Sequence, residues 1–247
     1  MNINLTVSEN SKLNGERAAN LIANLINEAI KEKGNARIVV STGSSQFEMF
    51  EALIKLNVDW SKVEMFHLDE YVNLQETHIA SFRKYLKERF VSKVNLKAAY
   101  FVSGEGNIEE NISILTSELR KDIIDVGIIG IGENGHIAFN DPPADFETNE
   151  AYKVVTLDQK CRAQQVGEGW FKTIDDVPSQ AISMTPKEIM KARHIVTVAP
   201  HSVKADAIYK TITTPITPMV PATLLKTHPD WHLFIDDASA AKLFGRQ

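Results

Sequence analysis

The sequence lacks the features that mark secreted, membrane and nucleic-acid-binding proteins. Its 247 residues include one cysteine, Cys161, so no disulfide can form within the chain, and we expect this side chain to serve in packing. It contains no run of 18 apolar residues, which excludes a transmembrane helix, and its opening segment "MNINLTVSEN" lacks the pattern of a secretory signal. The net charge of −5 disfavours binding to nucleic acid. We therefore expect a cytoplasmic protein that acts on small metabolites.

Short apolar runs alternate with helical patterns along the chain. The predicted buried strands are residues 36–42, 63–68, 125–132, 192–199 and 230–236. The predicted helices, where apolar residues recur every three or four positions, are at about 11–33, 45–56, 79–92, 107–121, 160–173, 201–212 and 237–244. Such alternation predicts an α/β fold whose mainly parallel sheet is covered by helices on both faces. No repeat or linker divides the chain, so we expect one domain over residues 1–247.

Ligands of open parallel sheets bind outside the carboxyl ends of the strands, so the residues that follow each predicted strand are candidates for a site. The first such segment is "STGSSQFE", in which Gly43 permits a tight turn and Thr42, Ser44 and Ser45 offer hydroxyl groups. Ser45 and Glu48 have the spacing of a capping box, which predicts a helix start suited to a phosphate. An ordinary strand-to-helix turn explains the segment equally well. It matches neither a Walker A loop nor a dinucleotide-binding loop, which disfavours ATP and dinucleotides.

Two adjacent carboxylates follow the second strand, in "FHLDEYVNL". Successive side chains of an extended segment alternate in direction, so Asp69 and Glu70 are expected to face opposite ways. A partly desolvated carboxylate at this edge of a sheet is a candidate general base, although a polar strand exit explains the pair as well. Metal binding by His67, Asp69 and Glu70 is disfavoured because adjacent residues project divergently.

The third and fourth strand ends carry a histidine and a lysine. In "GIGENGHIAFNDPP", His136 is a residue of the type suited to acid–base catalysis and has Glu133 and Asp141 nearby in sequence, and a histidine with a carboxylate can move a proton. The glycine-rich setting after a buried strand favours a catalytic histidine over a structural one. Lys204 lies near the start of a predicted helix, where a cation is unfavourable unless an anionic ligand binds. The alternative is a solvent-exposed lysine.

The segments "FHLDEYVNL" and "GIGENGHIAFNDP" resemble the glucosamine-6-phosphate deaminase/isomerase family. The resemblance extends to "STGSS", to "SVKA" around Lys204 and to the closing "PATLLKTHPDWHLFID", and so covers most of the chain. The related 6-phosphogluconolactonases typically carry an Asp-Glu-Arg stretch and a Gly-His-x-Ala-Ser-Leu-Phe loop, which this sequence lacks. The resemblance implies a doubly wound α/β fold, a sugar-phosphate substrate, and chemistry that requires neither a metal nor a cofactor.

The resemblance also implies roles for the catalytic candidates. The family reaction converts glucosamine 6-phosphate to fructose 6-phosphate and ammonia. Asp69 would move a proton between C2 and C1, His136 would open the sugar ring, and Asp141 would orient His136. The family typically has aspartate where this chain has Asn134, and glutamate where it has Asp141. Asparagine carries no charge, but its amide can still hydrogen-bond and orient His136.

The substrate-binding candidates include the segment from Thr42 through Gly43 and Ser44 to Ser45. These residues and Lys204 would bind the 6-phosphate, and Glu70 and Arg162 are further candidates for contact with the substrate. The family typically offers the phosphate an arginine near 167–170, in a lid that we expect at about 149–178, and this chain has none there. Arg162 or Lys160 would have to replace it.

These departures leave the substrate and the activity open. The favoured interpretation is a glucosamine-6-phosphate deaminase. The alternatives are a deaminase of another epimer such as galactosamine 6-phosphate, a 6-phosphogluconolactonase-like hydrolase, and a non-catalytic sugar-phosphate sensor. A homo-oligomer is possible, because members of the family range from monomers to hexamers.

Overall fold

A computed structural model describes residues 3–245, which form a large parallel sheet and a small antiparallel one. In order across the large sheet, the strands are β1 (Ile3–Ser8), β10 (Trp231–Asp236), β9 (His194–Val198), β6 (Val126–Ile129), β2 (Ala36–Val40), β3 (Val63–His67) and β5 (Ala98–Tyr100). Every neighbouring pair in this sheet is parallel. The carboxyl ends of these strands therefore meet at one edge, as predicted.

Helices connect the strands. The α-helices are α1 (Ser11–Lys33), α2 (Phe47–Leu53), α3 (Phe82–Arg89), α4 (Ile108–Leu119), α5 (Gln159–Gly167), α6 (Pro186–Ile189), α7 (Ala205–Thr213) and α8 (Asp237–Ala240). Turns of 3₁₀-helix occupy Ser44–Gln46, Trp60–Lys62, Val91–Lys93, Ile174–Asp176, Ser202–Lys204 and Pro221–Thr227. Within residues 3–245, no helix combines the length and the hydropathy that crossing a membrane requires.

Both faces of the large sheet are buried, which confirms the predicted fold class. Ile38 and Val40 of β2 pack into a core with α1, α2 and α3. Val39, which points the other way, packs into a second core with α4 and α7. Side chains alternate across a strand, so a strand with helices on both sides must be apolar throughout. This is why the central strands were recognisable as continuous apolar runs.

The small sheet positions the predicted carboxylates. It consists of β4 (Asp69–Tyr71), β8 (Gln180–Met184) and β7 (Tyr152–Thr156), paired antiparallel in that order. Strand β4 follows β3 after a single residue, Leu68, whose carbonyl oxygen accepts a hydrogen bond from the backbone N–H of Met184 at 2.8 Å. The chain therefore leaves the large sheet and pairs with β8 within one residue. This pairing places Asp69 at the edge where the parallel strands end.

Most of the predicted elements are confirmed, with shorter ends. The helix predicted to reach 173 ends at Gly167, and Gly169 then takes a left-handed conformation with φ of 82°. The helix predicted to reach 244 ends at Ala240. The sequence did not predict β1, β4, β5, β7 or β8, because these strands are short or carry exposed polar positions.

Cys161 confirms its expected role in packing. It lies fully buried in a third core, among Tyr71, Leu157 and Phe171, which joins the small sheet to α5. Burial raises the pKa of the Cys161 thiol, so the group stays protonated.

Candidate active site

All four predicted strand ends contribute to one cavity at the carboxyl edge of the large sheet. The predicted residues that line the cavity are Thr42, Gly43, Ser44, Ser45, Asp69, His136 and Lys204. Asn134 and Asp141 lie behind His136, and Glu70 and Arg162 lie outside the lining. The topology therefore brings together the candidate base, the candidate ring-opening histidine and the candidate anion-binding groups.

Asp69 is a buried carboxyl group in the wall of this cavity, only 6% exposed. Burial, together with the negative charge of the adjacent Glu70, raises the pKa of Asp69 to about 8. An ordinary aspartate is far too weak a base to remove a proton from carbon near neutral pH, and desolvation of this kind makes it stronger. The geometry and the pKa both suit Asp69 to general base catalysis.

Glu70 faces away from the cavity, as the alternation of side chains predicted. Its carboxylate accepts hydrogen bonds from the backbone N–H of Tyr71 at 3.0 Å, from Ser81 Oγ at 2.9 Å and from the backbone N–H of Arg83 at 2.9 Å. The Arg83 guanidinium lies 3.3 Å away. Glu70 thus binds the N-terminal turn of α3, and the structure places it outside the cavity rather than in the position expected of a substrate contact.

His136 is held between its own loop and Asp141. Its Nδ1 lies 3.1 Å from Asp141 Oδ1, and its backbone N–H donates to Asn134 Oδ1 at 3.0 Å. Asn134 Nδ2 donates to the same Asp141 oxygen at 2.9 Å, and the second carboxylate oxygen accepts from the backbone N–H of Asp158 at 3.1 Å. Asn134 therefore orients the carboxylate and the loop backbone, rather than the imidazole ring itself.

Asp141 remains ionised behind the histidine. Burial raises the pKa of Asp141, but the hydrogen bonds and charge of His136, with help from Asn134 and Asp158, outweigh it, so the pKa lies below its usual value. An ionised carboxylate 3.1 Å from Nδ1 favours a proton on that nitrogen, although the two groups are not aligned as a hydrogen bond. The other ring nitrogen is then available to the cavity.

The segment from Thr42 to Ser45 is a turn that leads into a helical segment without a side-chain cap, since the 3₁₀ turn Ser44–Gln46 continues directly into α2. Gly43 adopts φ of 106°, a conformation that side chains disfavour, and its carbonyl oxygen accepts a hydrogen bond from Tyr85 Oη at 2.9 Å. The predicted capping box is wrong, because Ser45 makes no cap hydrogen bond and Glu48 instead accepts from Ser11 Oγ at 3.0 Å. The hydroxyl groups of the loop therefore line the cavity without serving as helix caps.

Lys204 is a buried cation in the lining of the same cavity. It is 5% exposed and forms no ion pair with any of residues 3–245. Burial lowers the pKa of Lys204, although the charges of Glu168 and Glu133 act in the opposite direction. A buried charge without a partner is unfavourable, and an anionic ligand would compensate it. Lys204 and the hydroxyls of the Thr42–Ser45 loop together form a candidate anion-binding site.

Neither of the two residues expected to replace the lid arginine lines the cavity. Arg162 donates from Nη2 to the carbonyl oxygens of Ile174 and Val177, at 2.6 and 3.2 Å, and Lys160 is exposed. The end of α5 contributes different residues to the lining, which are Gln164, Gln165, Glu168 and Trp170. No motif marked these four in the sequence, because their place depends on how α5 packs against β4.

The described residues contain one set of side chains with the spacing of a metal site. A nitrogen of His136, an oxygen of Asp141 and the sulfur of Cys161 lie within 4.8 Å of one another. Asp141 already accepts hydrogen bonds from Asn134 and Asp158, and it faces His136. The observed contacts therefore account for this cluster as the support of His136.

Comparisons with known proteins agree on one family. The sequence profile described as "Glucosamine-6-phosphate isomerases/6-phosphogluconolactonase" matches residues 9–233. A glucosamine-6-phosphate deaminase of Thermoanaerobacter pseudethanolicus is 36% identical over 237 residues, covering 93% of this chain and 92% of that protein. A glucosamine-6-phosphate deaminase of Clostridium acetobutylicum is 34% identical over 240 residues, covering 90% and 93%.

Solved structures extend the comparison to the fold. A monomeric glucosamine-6-phosphate deaminase superposes with a TM-score of 0.87 at 27% identity, over 98% of this chain and 99% of the other. A 6-phosphogluconolactonase of Thermotoga maritima superposes with a TM-score of 0.79 at 15% identity, over 95% and 100%. The second likeness shows the shared fold alone.

Proposed function

Since the chain belongs to the family of glucosamine-6-phosphate isomerases and 6-phosphogluconolactonases, we propose that it is a glucosamine-6-phosphate deaminase. The observation that carries the proposal is the arrangement of Asp69, His136 and Lys204 around one cavity. The relatives at 34–36% identity bear this name, which supports the deaminase over the lactonase branch.

The reaction would begin with the substrate held by its phosphate. Lys204 and the Thr42–Ser45 loop bind the 6-phosphate, so that binding energy at one end positions the reacting carbons at the other. His136, with ionised Asp141 behind it, moves the proton of the C1 hydroxyl to the ring oxygen, so that the bond between C1 and the ring oxygen breaks and C1 becomes an aldehyde. The phosphate-binding residues orient the sugar, and His136 moves one proton within it. The positions of these side chains around the cavity permit both.

Asp69 would then carry out the isomerisation. Its carboxylate removes the proton from C2 of the open-chain aldehyde and returns it to C1, while the ammonium group loses a proton and the C1 oxygen gains one, so that C1 becomes a hydroxymethyl group and C2 becomes an iminium carbon. Water adds to C2, ammonia leaves, and fructose 6-phosphate remains. The substrate's own ammonium group favours the ionised form of Asp69 when it binds, since a nearby positive charge lowers a carboxyl pKa.

Ammonia release tests the proposal. The protein is mixed with glucosamine 6-phosphate and, separately, with galactosamine 6-phosphate, and ammonia is assayed with a coupled enzyme. We expect release from glucosamine 6-phosphate. Release from galactosamine 6-phosphate alone would support the alternative that the protein is a deaminase of this other epimer. Binding heat without release from either would contradict the proposal and support a sugar-phosphate sensor, and hydrolysis of 6-phosphogluconolactone would support the hydrolase.

Three further expectations remain proposals. A cytoplasmic location fits a phosphorylated sugar substrate, and a homo-oligomer remains possible. A lid at about 149–178 would include β7 and α5, and its cavity-lining residues would include Gln164 of α5 and Glu168, which follows α5.

Substitution of Gly132 by alanine tests the placement of His136. A Cβ atom at Gly132 would lie 2.2 Å from His136 Cε1 and Nε2, so the ring must move out of its position. We expect the turnover number for ammonia release to fall by about 10²-fold, because small displacements of a catalytic group have effects of this order. Gly167→Ala is the matched control, because a Cβ there meets nothing within 4 Å. Equal activity in the two variants would show that the position of His136 does not matter for turnover.

A further inference from the structure

The end of α5 presents an oriented carboxylate to the cavity. Glu168 Oε1 accepts a hydrogen bond from Gln164 Nε2 at 2.7 Å, and Oε2 accepts from Trp170 Nε1 at 3.0 Å. Gln164 is itself fixed, since its Oε1 accepts from the backbone N–H of Glu133 at 3.2 Å. A carboxylate oxygen can accept two hydrogen bonds, so both oxygens of Glu168 keep capacity for a ligand. Glu168, Gln164 and Trp170 all line the cavity.

Glu168 gives this wall of the cavity a negative charge, which disfavours the binding of a phosphate there. Burial lowers the pKa of Lys204 and the charge of Glu168 opposes this effect, yet the two residues form no ion pair within the described chain. A phosphate bound to Lys204 would be repelled by this carboxylate. Hydroxyl groups, in contrast, donate to carboxylates in hydrogen bonds that are stronger than neutral ones. The wall therefore suits the hydroxyl-bearing carbons of a sugar phosphate.

The end of α5 is tied to the segments that carry the candidate base and the candidate histidine. Tyr71 Oη donates to Gln165 Oε1 at 2.8 Å, which ties α5 to the strand that carries Asp69. The hydrogen bond from the backbone N–H of Glu133 to Gln164 ties α5 to the loop that carries His136. The end of α5 is thus fixed relative to Asp69 and His136, and Glu168 shares the cavity lining with Lys204.

We infer that Glu168 accepts a hydrogen bond from the C4 hydroxyl of the substrate and thereby sets the preference between C4 epimers. The inference rests on the proposed function, which places the phosphate at Lys204 and C2 at Asp69. The oxygen at C5 then faces His136 and C3 adjoins the reacting carbon, so C4 is the position midway along the chain. Glu168 is a specificity-determining residue in this arrangement.

The test compares both epimers in wild type and in Glu168→Gln. The amide keeps the shape of the side chain but removes the charge. We expect the ratio of kcat/KM for glucosamine 6-phosphate to that for galactosamine 6-phosphate to fall by at least about tenfold. Glu133→Gln is the control, because Glu133 also acts on the charge of Lys204 but is exposed and lies outside the lining. Its ratio should equal that of wild type. An equal loss for both epimers in Glu168→Gln would overturn the inference.

Binding of unreactive ligands separates this inference from the proposed function. Open-chain hexitol 6-phosphates of the gluco and galacto configurations are titrated against tryptophan fluorescence, which Trp170 reports from within the cavity because Trp60 and Trp231 are buried elsewhere. A preference that Glu168→Gln abolishes supports the inference even if no ammonia is released by the wild type. A preference that survives in this variant, or no binding of either hexitol phosphate by the wild type, overturns it.

Discussion

Replacing Asp69 by asparagine should lower ammonia release from glucosamine 6-phosphate by about 10³-fold or more and should also stabilise the fold at alkaline pH. The amide cannot accept a proton, so the transfer between C2 and C1 loses its base. The stabilisation follows from the same burial that makes the carboxylate a stronger base, because an ionised group in the cavity wall has lost most of its hydration.

The sign of the stability effect follows from the pKa of Asp69. The ordinary value is 3.8, and the folded protein raises the pKa to about 8. Below a pH of about 4, the carboxyl group is protonated in the folded and unfolded chains alike. As the pH rises towards 8, the unfolded chain loses the proton while the folded chain keeps it, so the stability of the wild type decreases. Above that value the loss is complete, on the order of 2 to 5 kcal/mol.

Melting temperatures between pH 5 and 9 measure this difference. Asp69→Asn should melt close to the wild type at the acidic end and several degrees above it at the alkaline end. Asp175→Asn provides the control, because Asp175 is an exposed carboxylate outside the cavity. In the wild type, kcat/KM should rise with pH up to about 8, as the free enzyme gains ionised Asp69. Parallel melting curves for Asp69→Asn and wild type would contradict the assignment of a buried carboxyl group.

The sequence was sufficient to predict the candidates that follow strands of the large sheet. Asp69, His136 and Lys204 each follow a recognisable apolar strand, and parallel strands bring their carboxyl ends to one edge. The alternation of side chains also predicted that Asp69 and Glu70 face opposite ways. The alternation could not indicate which of the two carboxylates faces the cavity. That depends on the hydrogen bonds that Ser81 and Arg83, later in the chain, donate to Glu70.

The remaining differences between the predicted site and the observed one come from contacts between segments that are distant in sequence. Glu48 has the right spacing to cap with Ser45, yet it binds Ser11, which lies 37 residues away. Arg162 is the arginine nearest in sequence to the expected lid arginine, yet its guanidinium donates to the carbonyl oxygen of Ile174. Glu168 enters the cavity only because α5 ends at Gly167 and turns there. Local patterns carry no information about such partners, and the lining contributed by α5 therefore required the structure.

Replacing Lys204 by methionine should raise the KM for glucosamine 6-phosphate by about 10²-fold, with a smaller effect on kcat, while the protein becomes more stable. Methionine has a length similar to that of lysine and fits apolar surroundings. The substitution also removes a positive charge that burial disfavours. We expect a gain of about 1 to 3 kcal/mol in the free energy of unfolding at neutral pH.

The effect of inorganic phosphate on the melting temperature shows whether Lys204 binds an anion or has only a structural role. Phosphate should raise the melting temperature of the wild type, because a ligand that binds only the folded state stabilises it, and it should have no such effect on Lys204→Met. Lys160→Met is the matched control, since Lys160 is an exposed lysine of α5 that lies outside the cavity lining, and it should respond to phosphate like the wild type. A phosphate response that persists in Lys204→Met would show that the hydroxyl groups of the Thr42–Ser45 loop bind the anion without the lysine, and the buried cation would then need another explanation.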